Sequence, residues 1–196
     1  MLEEIFFFYN SLISRVFLVS VPPKLDLEIT MPYTVEQLSD LQCIRDIALR
    51  YCRGVDRLDE DLMKSAYWPD ATDNHGTFIG NAMEFCEMCM VAHLRWRSTN
   101  HCVLNHYIEL DDDGIHGHGE VYNVTYLFQL GEDILDTWYG RYLDRYEKRA
   151  DEWRIIERVC VHEGSTTEAV TKMGIEAPMF RQGSFDRPSS GRQVGP

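Results

Sequence analysis

His101, in the run "STNHCVLNHYIEL", and Asp56, in "RGVDRLDED", are the residues whose types most invite a chemical reading. A neutral imidazole accepts a proton near neutral pH, so a histidine facing a cavity is a candidate general base. A lone histidine near a strand start is more often a structural hydrogen bonder than a catalyst. Asp56 follows directly on the apolar stripe of a helix and precedes Asp59, Glu60 and Asp61, acids of the kind that begin the next helix. It therefore needs either water or a partner. "HGHGE" sets His116, His118 and Glu120 on one face of an extended segment, a spacing a metal ion could use. No fourth ligand is evident and the run follows a turn directly, so no metal and no cofactor is expected. "CEMC" at 86–89 has no second pair and no flanking histidine at metal-like spacing, which argues against zinc and redox chemistry.

The elements that must position these residues read clearly. Thr34-x-x-Gln37 is a capping box that opens a helix. Leu38, Leu41, Ile44, Ala48, Tyr51 and Val55 then recur at spacings of three and four, giving one apolar face. A second helix starts near Asp59, carries Leu62, Met63, Ala66 and Tyr67, and stops at Pro69. "DNHGTFIG" reads as a short strand or hairpin arm ending at Gly80, and Asn81-x-x-Glu84 caps a third helix with Phe85, Met88, Cys89, Ala92 and Trp96 on one face. Four long strands follow, over 98–110, 115–130, 134–147 and 153–164, joined by short polar turns as consecutive antiparallel hairpins. Helices followed by a meander define an α+β fold. Strands this long twist, and a curved sheet wrapped around a helix leaves a hollow for a ligand. In the first strand Cys102, Leu104, Ile108 and Leu110 share one face, and His101, Val103, Asn105, Tyr107 and Glu109 share the other.

The bulk of the chain bounds its partners. It has 196 residues, 44% hydrophobic and 12% aromatic, which suits one globular domain. The net charge of −13 with no basic block argues against nucleic acid and anionic membranes as partners. Cys43, Cys52, Cys86 and Cys89 sit among apolar residues of helical pattern, as reduced thiols of a cytoplasmic protein do. Residues 1–30 read as an N-terminal extension outside the core fold. Their apolar run lacks a positively charged start and is interrupted by Asn10 and Arg15, so it is no secure membrane span. The domain is expected over 31–170, with a partly disordered tail over 171–196.

The order of these elements, with "YCRGVDRLDEDLMKSAYWPDA", "TNHCVLN" and "GRYLDRYEKRADEWRIIERV", resembles the SnoaL-like branch of the nuclear-transport-factor-2-like superfamily over roughly residues 34–164. It looks closest to the group that includes scytalone dehydratase, bile-acid 7α-dehydratase and hexachlorocyclohexane dehydrochlorinase. The resemblance implies a cone, in which a curved antiparallel sheet wraps N-terminal helices around an apolar pocket. It also implies a partner for Asp56, because in those lyases an Asp just after the first helix pairs with a His on the sheet, here His101. Tyr51, five residues before Asp56, matches a Tyr of the bile-acid enzyme, and Arg158 matches a pocket Arg of the dehydrochlorinase. No second catalytic His like that of scytalone dehydratase is evident.

On this resemblance His101 would abstract a proton beside a carbonyl, Asp56 would orient the ring and stabilise the imidazolium, and Tyr51 would donate to a leaving hydroxyl or an enolate. Arg158, Asn105 and Tyr126 are the expected substrate-binding residues. Each residue also has a plainer reading: Asp56 as a solvated loop residue or cap, Tyr51 as core, Arg158 as half of a surface ion pair, Asn105 as a cross-strand partner. The expectation is a cofactor-independent dehydratase of a hydroxylated polycyclic or aromatic ketone such as a steroid or polyketide. Its rivals are an isomerase on the same scaffold and a non-catalytic binding or assembly module. Trp138, Tyr139 and Tyr142 exceed what one curved sheet can cover, which with the resemblance implies a homo-oligomer through the outer sheet face, a trimer ahead of a dimer.

Overall fold

Thr34 opens the first helix through both halves of its capping box: the Gln37 amide donates to Thr34 Oγ1 at 3.1 Å, and the Thr34 amide donates to Gln37 Oε1 at 2.9 Å. The structure is a computed structural model and describes residues 32–175. The expected extension over 1–30, and the expected tail from 176 onward, lie outside the described residues. Helix α1 spans Val35–Arg57 and buries Leu41, Ile44, Ile47, Ala48, Tyr51, Cys52 and Val55, while Leu38 stays exposed in its first turn. It runs past the expected end, so Asp56 lies inside its last turn rather than after it. The helix closes at Leu58, whose φ of 47° is left-handed, with the Asp59 amide donating back to Gly54 O at 2.8 Å. Asp59 then caps the short helix α2, Glu60–Lys64. A Cβ on Gly54 would lie 2.5 Å from the Met63 nitrogen, so only glycine lets the end of α1 seat against α2.

The second helix is shorter than the sequence suggests. Strand β1, Tyr67–Asn74, replaces its second half because Tyr67, Ala71 and Asp73 gain full burial beside the last strand of the sheet. Pro69 is tolerated there since the register slips between Tyr67 and Thr72, where a missing amide breaks no ladder bond. Strand β2, Ile79–Asn81, returns antiparallel to β1. Asn81 caps helix α3, Ala82–Ala92, accepting from the Met83 amide at 2.8 Å. One 3-10 turn, His93–Arg95, leads into β3, Trp96–Leu110; then come β4, His116–Gln129, β5, Ile134–Arg149, and β6, Glu152–Ala169.

These strands form one six-stranded sheet in the order β2-β1-β6-β5-β4-β3. The meander β3 to β6 is antiparallel throughout, and β1 adds to it in parallel with β6, a pairing the meander did not foretell. The curved sheet wraps the helices as a cone, with α1 against β3 and β6. Bulges break the inside–outside alternation, one in β3 between Val103 and His106 and others where β5 and β6 slip at Tyr139/Gly140 and Arg145/Tyr146. Among the described residues no helix is long and apolar enough to cross a membrane.

The contact at Gly54 is testable. Gly54→Ala overpacks the junction of α1 and α2 and is expected to cost about 1–3 kcal/mol. Urea unfolding should show a lower midpoint with an unchanged slope.

Candidate active site

The end of α1 lies inside the curve of the sheet, so the Asp56 carboxylate faces the start of β3. Three donors converge on it. Thr99 Oγ1 donates to Oδ1 at 2.8 Å, the His101 amide to Oδ2 at 2.9 Å, and the His101 ring approaches through Nδ1, 2.6 Å from Oδ1. Thr99 and His101 stand two apart on one face of β3, which is why one carboxylate can reach both. Burial alone would raise the Asp56 pKa, but the His101 and Thr99 hydrogen bonds outweigh it and hold the carboxyl below its ordinary value. An ionised carboxylate only accepts, so Nδ1 carries a proton, and in the neutral form of the ring Nε2 is the acceptor. The two side chains are 9% and 14% exposed, enough for contact with a ligand and too little for free solvation.

His101 forms part of the wall of an open cavity of about 320 Å³ lined by α1, α3 and the concave face of the sheet. Apolar and aromatic groups such as Val55, Phe85, Leu127, Trp138 and Tyr142 provide most of the remaining surface. Trp138 can lie flat there because Gly140 has no side chain to strike its ring. Tyr51 lines the cavity as well, and burial holds its phenol well above the ordinary pKa, so it is present as a neutral donor.

The three expected substrate-binding residues lie elsewhere. Asn105 sits in the β3 bulge and is exposed; the extra residue there reverses the parity that would have carried it inward with His101. Tyr126 is 39% exposed on the outer face, while its neighbours Thr125 and Leu127 line the cavity. Arg158 is buried completely, one layer beneath the cavity. Its Nε and Nη2 each donate to Asp144 at 2.7 Å, and its guanidinium lies 4.2 Å from the ring centres of both Tyr51 and Tyr142. It thus supports Tyr51 from below and does not itself line the cavity. Of the aromatic residues expected on the outer face, Trp138 and Tyr142 point inward and only Tyr139 is exposed. His116 and His118 are engaged with Asp113 and Glu109 at the surface, and no cluster suited to a metal ion occurs among the described residues.

Three cavity histidines escaped the sequence reading, His75, His93 and His162, the last with its ring 6.1 Å from that of Trp138. His93, in the 3-10 turn, stacks beside His101 with ring centres 6.0 Å apart. Burial, with His101 next to it, pushes its pKa down to about 3, so it is neutral across the physiological range. His75 follows β1 and pairs through Nδ1 with the buried Asp73. Its signal was the Asp-x-His spacing in "DNHG", which places both side chains on one side of an extended segment.

A curved sheet closed over three helices is the cone of the nuclear-transport-factor-2-like superfamily. Within it the chain belongs to the SnoaL-like domain family, which matches residues 36–159. No curated protein matches the sequence. Among solved structures it is similar to a hexachlorocyclohexane dehydrochlorinase at 19% identity, with a TM-score of 0.64 over 71% of this chain and 98% of that one. A protein of Novosphingobium aromaticivorans that carries a provisional scytalone dehydratase assignment aligns at 15% identity, with a TM-score of 0.62 over 71% of this chain and 96% of that one. A Nostoc punctiforme protein of unknown function with a cystatin-like fold aligns at 18% identity, with a TM-score of 0.54 over 68% and 96% of the two chains. At these identities the likeness is one of fold.

The buried pair beneath Tyr51 makes a sharp prediction. Arg158→Met leaves the Asp144 carboxylate buried without its cation, at an expected cost of about 3–5 kcal/mol, and adding Asp144→Leu should recover at least half of that. Chemical denaturation of the single and double variants measures both.

Proposed function

We propose that the protein is a cofactor-independent lyase, a dehydratase acting on a hydroxylated polycyclic or aromatic ketone of the steroid or polyketide kind. The observation that carries this reading is the Asp56–His101 pair at the wall of an apolar cavity. Asp56 and Thr99 fix the ring so that its unprotonated Nε2 is available to a ligand. A neutral imidazole of this kind removes a proton beside a carbonyl, and the carboxylate stabilises the imidazolium as it forms. Tyr51, a neutral phenol anchored over Arg158, donates to the carbonyl oxygen as enolate charge develops. The aromatic walls suit a flat, largely apolar substrate, and the named activities of the structurally similar dehydratase and dehydrochlorinase are eliminations too.

A β-hydroxy tetralone is a direct probe, because losing water turns it into a naphthol with its own fluorescence. His101→Gln should lower turnover by about 100- to 10,000-fold and Asp56→Asn by a comparable factor. The double variant should be scarcely worse than either, since the two act as a unit. Full activity in His101→Gln would reject the mechanism.

The assembly proposal rests on the outer face of the sheet, where Tyr107, Tyr122, Tyr126, Tyr139 and Leu143 are exposed together on neighbouring strands. We expect a homo-oligomer through this face, a trimer first and a dimer second. Light scattering at micromolar concentration should return a mass above that of one chain, and a monomer would refute it.

A further inference from the structure

We propose that His75 and Asp73 form a second histidine–carboxylate dyad, which faces the same cavity and delivers the proton that the departing hydroxyl needs. The proposal rests on the lyase reading and assigns it a general acid. Asp73 is fully buried at the end of β1, with Oδ2 accepting from the Tyr67 hydroxyl at 2.7 Å and Oδ1 facing His75 Nδ1. The carboxylate thereby turns the other ring nitrogen, Nε2, inward, where it lies 3.5 Å from the Tyr51 hydroxyl. The ring is held flat against Phe85, with centres 4.1 Å apart, and its backbone is pinned by the His75 amide donating to Phe78 O at 2.9 Å. Gly76, at φ 73°, makes the tight turn that lets the chain leave without covering the ring. A histidine needed only to close this hairpin could stay buried behind Phe85, yet the His75 side chain is 19% exposed and lines the cavity.

Placement sets the division of labour. Strands β6, β5 and β4 separate β1 from β3 in the sheet, so the His75 and His101 dyads reach the one cavity from separate elements. Two proton-handling groups held apart in this way can work on the two ends of one elimination. His101 Nε2 takes the proton from the carbon beside the carbonyl, and the freed electron pair enters the carbonyl system as an enolate. The enolate reforms the carbonyl as the carbon–carbon double bond forms and the carbon–oxygen bond breaks. The oxygen leaves with that bond's electron pair and takes the proton from protonated His75 Nε2, so water departs. His101 ends protonated and His75 neutral, and exchange with solvent restores both.

The test compares leaving groups on the full chain, using the β-hydroxy tetralone and its β-chloro counterpart, because chloride departs without a proton. His75→Gln, which keeps the Tyr67–Asp73 bond, should lower kcat/KM for the hydroxy substrate by about 100-fold, and the deficit should shrink at least about tenfold with the chloro substrate. Asp73→Asn should follow the same pattern if it folds, whereas His101→Gln should depress both substrates alike. An equal loss on both substrates, or none on either, overturns the acid assignment while leaving His101 as base. If the unaltered protein turns over neither ketone, the lyase reading fails by itself, and ring-nitrogen NMR with added naphthol decides for the dyad. A naphthol-induced shift at His75 Nε2 that Asp73→Asn abolishes supports it, and unmoved His75 resonances overturn it.

Discussion

A guanidinium sealed away from water must be neutralised where it lies, and in this protein that demand organises the floor of the cavity. Asp144 answers it with two parallel bonds, and the rings of Tyr51 and Tyr142 close over the faces of the Arg158 fork. Tyr146 donates to the same carboxylate at 3.0 Å and meets His106 at 3.2 Å, so the network reaches across from β6 through β5 to β3. Those three strands and α1 cannot shift independently without stranding a charge. The pose of Tyr51 is therefore set by electrostatics beneath it as much as by packing around it.

Much of this was legible from local chemistry. The capping box at Thr34, the cap at Asn81 and the polar turns between the long strands act within a few residues, and each stands where the sequence indicates. Asp56 and His101 also meet, though their pairing came from resemblance and not from spacing, since forty-odd residues of chain intervene. What escaped was whatever depends on a bulge or on distant partners. One extra residue between Val103 and His106 sends Asn105 outward, and Arg158, expected in the pocket, is instead held beneath it by Asp144, a partner on the neighbouring strand. Alternation predicts parity only while the ladder is regular. Likewise Tyr67 reads as helical by its neighbours, and only the edge of β6, far along the chain, draws it into a strand.

His75 escaped for a different reason. Its acid is two residues away, which makes the pair look like an incidental polar turn, and its value as a cavity group arises only when α3 brings Phe85 beneath the ring. The site therefore combines one pairing across the fold with one inside a hairpin. The first depends on the whole cone being closed. The second needs only β1, β2 and α3.

Asp56 occupies an awkward place for an acid. The last turn of a helix carries the negative end of its dipole, where a carboxylate is disfavoured and a cation such as the adjacent Arg57 is welcome. The helix on its own would be better served by almost any other residue there, and the carboxylate persists because three donors on β3 offset the repulsion. Improvement for thermal robustness alone would begin at such a position, and each gain in helix stability there would strip the imidazole of its anchor. The end of α1 is thus a point of conflict between durability and chemistry, and a stabilised descendant of this chain would best leave that one turn untouched.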